Sequence, residues 1–323
     1  MYKKILLYFL TIVPIIGLLT SCGSTKTVKV KKAVIIHKPK IVKKEPVEFN
    51  HSYVKLMKKI KIDREAKIFK AMFIGKKIYL FNDAGYVNIL SLDGRRLSKF
   101  KILRNVSTVS ISKKYIFIGS ENGYIALYDI ASGKRIDKRR VKRYVTASLY
   151  DKKSFLYALE DGTVNRYDVS DKTSHKIYKF PKHHYVTDLQ KYKGTLYLAT
   201  MNGRLYKYSY SMNKILNVKR YIFDIEVYKN NIYICKEGGS LTQYDYINNR
   251  KKTKRVVQYD DIIKSYVNKY NVLLLTSNFD FMILNPSLKK IRVFKGHGAD
   301  IVSMDVYENN ILLSDGSTIY LYR

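Results

Sequence analysis

The pattern of apolar and polar positions changes character twice along the chain. An unbroken apolar run covers Ile5 to Leu19, behind Lys3 and Lys4, and residues Gly23 to Asn50 then show almost no hydrophobic periodicity. From there to Arg323, short segments with a period of two follow one another. That period predicts half-buried β-strands, and no useful length of helical periodicity occurs outside the first run. Val186 to Leu189, Thr195 to Thr200, Leu205 to Tyr208 and Lys214 to Val218 read as four successive strands.

These strands recur in a fixed frame. Gly123-Tyr124-Ile125-Ala126-Leu127-Tyr128-Asp129 returns as Gly162-Thr163-Val164-Asn165-Arg166-Tyr167-Asp168 and Gly203-Arg204-Leu205-Tyr206-Lys207-Tyr208-Ser209, and Gly85 to Ser91 and Gly239 to Asp245 follow it. The glycine column Gly85, Gly123, Gly162, Gly203, Gly239 has a period of about 40 residues, with Phe279 in its sixth place. Asn122, Asp161 and Asn202 precede their glycines, which predicts a tight hairpin with positive φ at both turn residues. Four strands in about 40 residues make one blade of a β-propeller.

Six frames run from Ala66 to Gly298, and Ala299 to Arg323 supplies three further strands. The missing outer strand has a candidate in Val54 to Ile62, an orphan strand-like segment ahead of the first frame. The predicted fold is therefore all-β: a seven-bladed propeller of four-stranded antiparallel blades over residues 51–323, with both termini clasped in the last blade.

In these frames the chain resembles the WD-repeat propellers. Phe294-Lys295-Gly296-His297-Gly298-Ala299-Asp300-Ile301-Val302-Ser303 looks like their Gly-His opening, and Tyr-Asp stands for Trp-Asp at Tyr128-Asp129, Tyr167-Asp168 and Tyr244-Asp245. The resemblance implies a structural bond between His297 and Asp315. Gly123 to Gly133 also looks like a quinoprotein-type repeat, so two propeller superfamilies stay open.

The segment ahead of the propeller has the form of an export signal, a basic start and an apolar run closed by small residues (1–21). Leu19-Thr20-Ser21-Cys22 resembles the bacterial lipobox, which implies diacylation of Cys22 and an anchored protein facing the periplasm. Without an aspartate after Cys22, the outer membrane is favoured over the inner. Residues 22–50 carry eight lysines, from Lys26 to Lys44, with Pro39 and Pro46. They read as an extended tether of at most about 3.3 Å per residue, able also to lie on anionic headgroups.

A charge of +35 over 323 residues, with 46% hydrophobic content, excludes a disordered chain and points to acidic surfaces as partners. The outer strands concentrate that charge, with Arg139 and Arg140 in one blade and Lys251 and Lys252 in another. Charged outer strands also oppose edge pairing between molecules. Phospholipid, lipopolysaccharide or acidic proteins are the expected counterparts, while export argues against nucleic acid.

Catalytic chemistry finds little to stand on. Two cysteines and scattered histidines (His37, His51, His175, His183, His184, His297) form no metal-ligand spacing, and no phosphate-cradling loop or nucleophile elbow occurs. Cys235 shares a column with Gly119, Ala158 and Ala199, which marks a small packed position. No cofactor is expected. Asp260, Asp261 and Asp300 are the candidate carboxylates for a propeller enzyme of lactonase or glycan-cleaving type.

The binding candidates lie in the loops entering the innermost strands: Arg143-Tyr144, His184-Tyr185 and Arg220-Tyr221, with Tyr259 nearby in its own blade. Such loops converge on one mouth of a propeller's channel, and tyrosine and arginine are rich in contact area and polar handles. The sequence thus favours a non-catalytic scaffold for other envelope proteins, in the manner of the propeller lipoprotein of outer-membrane protein assembly or the accessory propellers of periplasmic respiratory enzymes.

Overall fold

The computed structural model describes residues 48–62, 67–181, 184–278, 280–295 and 302–323. The export signal, most of the tether with Cys22, and the Gly296-His297 opening lie outside them, as do His183, Phe279 and Asp300.

Twenty-eight strands among the described residues form seven four-stranded antiparallel sheets. In six of them the chain fills the sheet in sequence order from the inside outwards. Their first strands are Ile68–Ile74, Val106–Ile111, Val145–Asp151, Val186–Tyr192, Ile222–Tyr228 and Ile262–Val267. Neighbouring first strands touch around a central channel. Second strands such as Thr195–Thr200 are buried on both faces, whereas fourth strands such as Arg135–Arg140 and Arg250–Arg255 are mostly exposed. Burial therefore sorts the apolar runs inward and the basic runs outward.

The seventh blade closes the ring as the sequence predicts. Ser303–Tyr307, Asn310–Ser314 and Thr318–Tyr322 come from the C-terminus, and Leu56–Lys61 adds the fourth strand antiparallel to Thr318–Tyr322. Reciprocal backbone bonds between Lys55 and Arg323, at 2.9 and 3.0 Å, extend the clasp.

Seven apolar clusters hold the ring, each shared by two adjacent blades. Phe117 of the second blade stacks on Phe155 of the third with ring centroids 5.1 Å apart. Leu312, Ile319 and Leu321 close the circle against Ile68, Ile78 and Leu80. The tyrosines standing where the WD family has tryptophan are buried, and their hydroxyls find partners: Tyr167 donates to Asp137 at 2.8 Å and Tyr244 to Asn249 at 2.9 Å.

Two local expectations change. The glycine turns are not two-residue hairpins with positive φ at both positions, because Asn122, Asp161 and Asn202 keep negative φ and only Gly123, Gly162 and Gly203 are left-handed. Each is a three-residue loop closed by a glycine bulge, with Gly123 N–H bonding Ser120 O at 3.3 Å and Gly203 N–H bonding Thr200 O at 3.0 Å. The two-residue turn with both φ positive sits at the other end of a blade, at Lys193 and Gly194. Second, the propeller begins ahead of residue 51: Glu48 accepts the Tyr228 hydroxyl and Lys269 N–H, and Phe49 O accepts Asn268 Nδ2 at 2.9 Å.

Asp315 is structural within its own blade. Its carboxylate accepts the N–H groups of Ser317 and Thr318 at 2.7 and 2.6 Å and the Tyr320 hydroxyl at 2.9 Å. The bond anticipated from His297 lies outside the described residues.

Candidate docking face and central channel

One backbone bond, repeated from blade to blade, sets the channel rim. Glu160 N–H bonds Tyr144 O, and Met201 N–H bonds Tyr185 O, each at 2.9 Å; Glu237 N–H bonds Tyr221 O at 3.0 Å. Each tyrosine precedes a fully buried anchor, Val145, Val186 or Ile222. Side-chain alternation along a strand therefore turns the tyrosine out of the core. The inner strand then bulges, with register shifts between Val145 and Ala147, Val186 and Asp188, and Ile222 and Asp224. A bulge re-aims the extra residue. Here the extra residues are Thr146, Thr187 and Phe223, and all three face the space that the tyrosines enclose.

That space is a cavity of about 400 Å³ walled by Tyr144, Tyr185, Tyr221, Phe223, Met201 and Glu160. Tyr221 and Phe223 lie with ring centroids 4.7 Å apart. Burial holds the Tyr144 hydroxyl above the usual phenol range, and the nearby Glu121, Tyr221 and Glu160 add to the shift. The hydroxyl oxygens of Thr146 and Thr187 are buried without a hydrogen-bond partner among the described residues.

The predicted tyrosine–arginine pairs separate. Arg143 is exposed, and its backbone packs on Gly123, where an added Cβ would stand 2.7 Å from Arg143 N. Arg220 turns to a different hollow, of about 280 Å³, beside Glu237, Asp260 and Asp261. Tyr259 borders that hollow and is 88% exposed, so it does not join the other three tyrosines. Its blade presents Asp261 at the rim position instead, where Asp261 O accepts Ser277 N–H at 3.0 Å. His184 is buried, with Nε2 2.6 Å from Arg204 Nη1 and its ring edge-on to Phe180, which makes it part of the loop rather than of the rim.

The outer-wall residues Arg139, Arg140, Lys251 and Lys252 are exposed. Arg139 pairs with Asp137 at 2.9 Å. A pair this open contributes little to stability.

The channel holds a charged cluster that the sequence did not single out. Inner strands leave a backbone edge facing the lumen, and side chains of the preceding blade bond to it. Asp188 accepts Ile225 N–H at 3.0 Å, Asp224 accepts Ser265 N–H at 2.9 Å, Ser303 accepts Ala71 N–H at 2.8 Å and Asp305 accepts Phe73 N–H at 2.6 Å. Lys264 pairs with Asp224, and Lys70 donates to Val109 O at 3.1 Å. Burial raises Asp188 and Asp305 to about 6 and Glu226 to about 8, and lowers Lys70 to about 8. Lys264 is pushed up instead, because the attraction of Asp224 and Asp188 outweighs its own burial. The recurrence of aspartate two residues after the buried anchor, at Asp188 and Asp224, is the sequence signal for this cluster.

Of the carboxylates named for the alternative enzyme reading, Asp300 lies outside the described residues, and Asp260 and Asp261 fasten loops. Asp260 accepts the N–H groups of Asp261 and Asn278 at 2.8 and 3.0 Å, and Asp261 accepts Gly238 N–H at 2.8 Å. Cys235 is fully buried opposite Asp224 in the ladder, and burial pushes its thiol up, away from reactivity. Among the described residues no group of three or more His, Cys, Asp or Glu side chains is placed to hold a metal ion.

No family model and no curated protein matches this chain. Solved structures do. The β-propeller domain of Cps50 (Swd1) from Myceliophteria thermophila aligns over 84% of this chain and 99% of its own, with a TM-score of 0.70 and 15% identity. The computationally designed protein Ika8 aligns over 81% and 98%, with a TM-score of 0.64 and 13% identity. At such identities the likeness is one of fold, and it places the chain among seven-bladed β-propellers.

Proposed function

We propose that this chain is a non-catalytic docking scaffold of the bacterial cell envelope, anchored through acylated Cys22 and facing the periplasm, with the outer membrane favoured. The observation that carries the docking reading is the convergence of Tyr144, Tyr185 and Tyr221 from three consecutive blades on one cavity. Aromatic side chains around a partly desolvated hollow are the usual anchor points of protein interfaces. The wall of Arg139, Arg140, Lys251 and Lys252 would add long-range attraction to acidic proteins or anionic lipid.

Against a propeller enzyme stands the use already made of the channel aspartates. Asp188, Asp224 and Asp305 each accept a backbone N–H of the next blade, so they serve ring closure.

Affinity capture from detergent-solubilised envelope tests the scaffold reading: a stoichiometric protein partner is expected, and turnover of lactone or glycan substrates without any partner would overturn it. Anchoring is tested by Cys22→Ser. The variant should lose its acyl chains and accumulate as uncleaved precursor, and normal processing with unchanged membrane retention would contradict the lipobox.

A further inference from the structure

We propose that the cavity between Tyr144, Tyr185 and Tyr221 receives one cationic side chain, a lysine or arginine of the docked partner. This rests on the docking reading and names what the mouth takes.

Charge carries the argument. The chain has 61 lysines and arginines, yet among the described residues none lines this cavity. The one charged wall residue among the described residues is Glu160, half-buried, whose Oε1 accepts Tyr144 N–H at 3.3 Å and keeps lone pairs for a further donor. Glu121 stands near the Tyr144 hydroxyl as a second carboxylate. Three tyrosines and Phe223 line the space, and the quadrupole of an aromatic ring attracts a cation to its face.

Each alternative guest leaves something unmet. An anion would meet Glu160 with no opposing cation among the described wall residues. A purely apolar group would suit the rings but would desolvate Glu160 without replacing the hydrogen bonds it loses. An ammonium brings three N–H donors and a guanidinium five, which match the carboxylate and the phenol oxygens. The space of about 400 Å³ admits such a side chain. Lys142, Arg143 and Lys219 are exposed just outside, so the inserted residue would be flanked by acidic ones in the partner.

The test uses the full chain and four small probes: the N-acetyl methylamides of arginine, lysine, norleucine and glutamate, with binding followed by saturation-transfer NMR. The arginine and lysine probes should bind saturably and at least tenfold more tightly than norleucine, with no binding of glutamate. Glu160→Gln keeps an oxygen for Tyr144 N–H, so it should melt like the parent while losing at least threefold in affinity for both cations. Equal binding of norleucine, preference for glutamate, no saturable cation binding at millimolar concentration, or an unaffected Glu160→Gln variant would each overturn the proposal.

The partner separates this claim from the docking reading. If a captured protein is lost with Tyr144→Ala, Tyr185→Ala and Tyr221→Ala but binds unchanged when its own basic residues are replaced by glutamine, docking stands and the cation claim falls. If the cation probes bind but the partner ignores the tyrosine variants, the docking reading falls.

Discussion

The backbone N–H of His51 donates to Asn271 Oδ1 at 2.6 Å, joining residues 220 positions apart in the chain. His51 is fully buried, edge-on to Tyr266, and its Nε2 lies 3.1 Å from Glu308 O. The residues entering the clasp thus strap the fifth, sixth and seventh blades at the end opposite the tyrosine mouth.

This strap makes stability depend on pH with a definite sign. Burial holds the His51 imidazole below its usual range, more strongly than the bond to Glu308 O raises it. The unfolded chain therefore binds the extra proton first, at about pH 6.5, and stability falls as the pH drops through that value. Thermal melts of the parent and of His51→Gln between pH 8 and pH 5 should show the larger loss in the parent. Parallel curves would contradict a buried neutral imidazole.

Glu226 gives the opposite sign. Burial, then the Asp224 carboxylate, raises it to about 8, with Lys264 pulling the other way. The folded state keeps a proton that the unfolded carboxyl releases at about pH 4.3, so stability falls as the pH rises from there to about 8. Glu226→Gln should melt above the parent at pH 8.5, with the difference vanishing near pH 4. A variant that is less stable at pH 8.5 would mean that the ionised carboxylate is welcome in the channel.

Two glycines separate backbone strain from close packing. Gly194 is left-handed at φ +85° with nothing within 4 Å of an added Cβ, whereas at Gly239, φ +67°, that Cβ would meet Val257 O at 2.4 Å and Asp260 O at 2.7 Å. Gly194→Ala should cost about 1 kcal/mol, the left-handed penalty alone. Gly239→Ala should cost about 3 kcal/mol, since backbone must also move. Chemical denaturation of both variants checks the order, and equal costs would show that the turn relaxes freely.

How far the sequence carries is a matter of which side chains its periodicity reports. The blade count was legible because five of the turns use a left-handed glycine, Gly85, Gly123, Gly162, Gly203 and Gly239, which prints a column every 40 residues or so. The clasp was legible because Val54 to Ile62 had no other place to pair. Tyr144, Tyr185 and Tyr221 were legible as a column beside a buried aliphatic anchor. Arg143, Arg220 and His184 share that column, but where a side chain turns after leaving the backbone is set by neighbours on other blades. Asp188, Asp224 and Glu226 were hidden for a related reason: the bulge in each inner strand shifts the alternation by one, so simple period-two counting assigns them to the wrong face.

Docking at the tyrosine mouth is tested most directly by comparing two variants against the captured partner. Truncating Tyr144, Tyr185 and Tyr221 to alanine should weaken binding by about 2–4 kcal/mol, through faster dissociation and with little dependence on salt. Neutralising Arg139, Arg140, Lys251 and Lys252 should mainly slow association, with an effect that fades as salt rises. Surface-plasmon kinetics at low and high salt, with melting temperatures in hand, distinguishes these outcomes. A folded mouth variant that binds its partner as tightly as the parent would contradict the central claim.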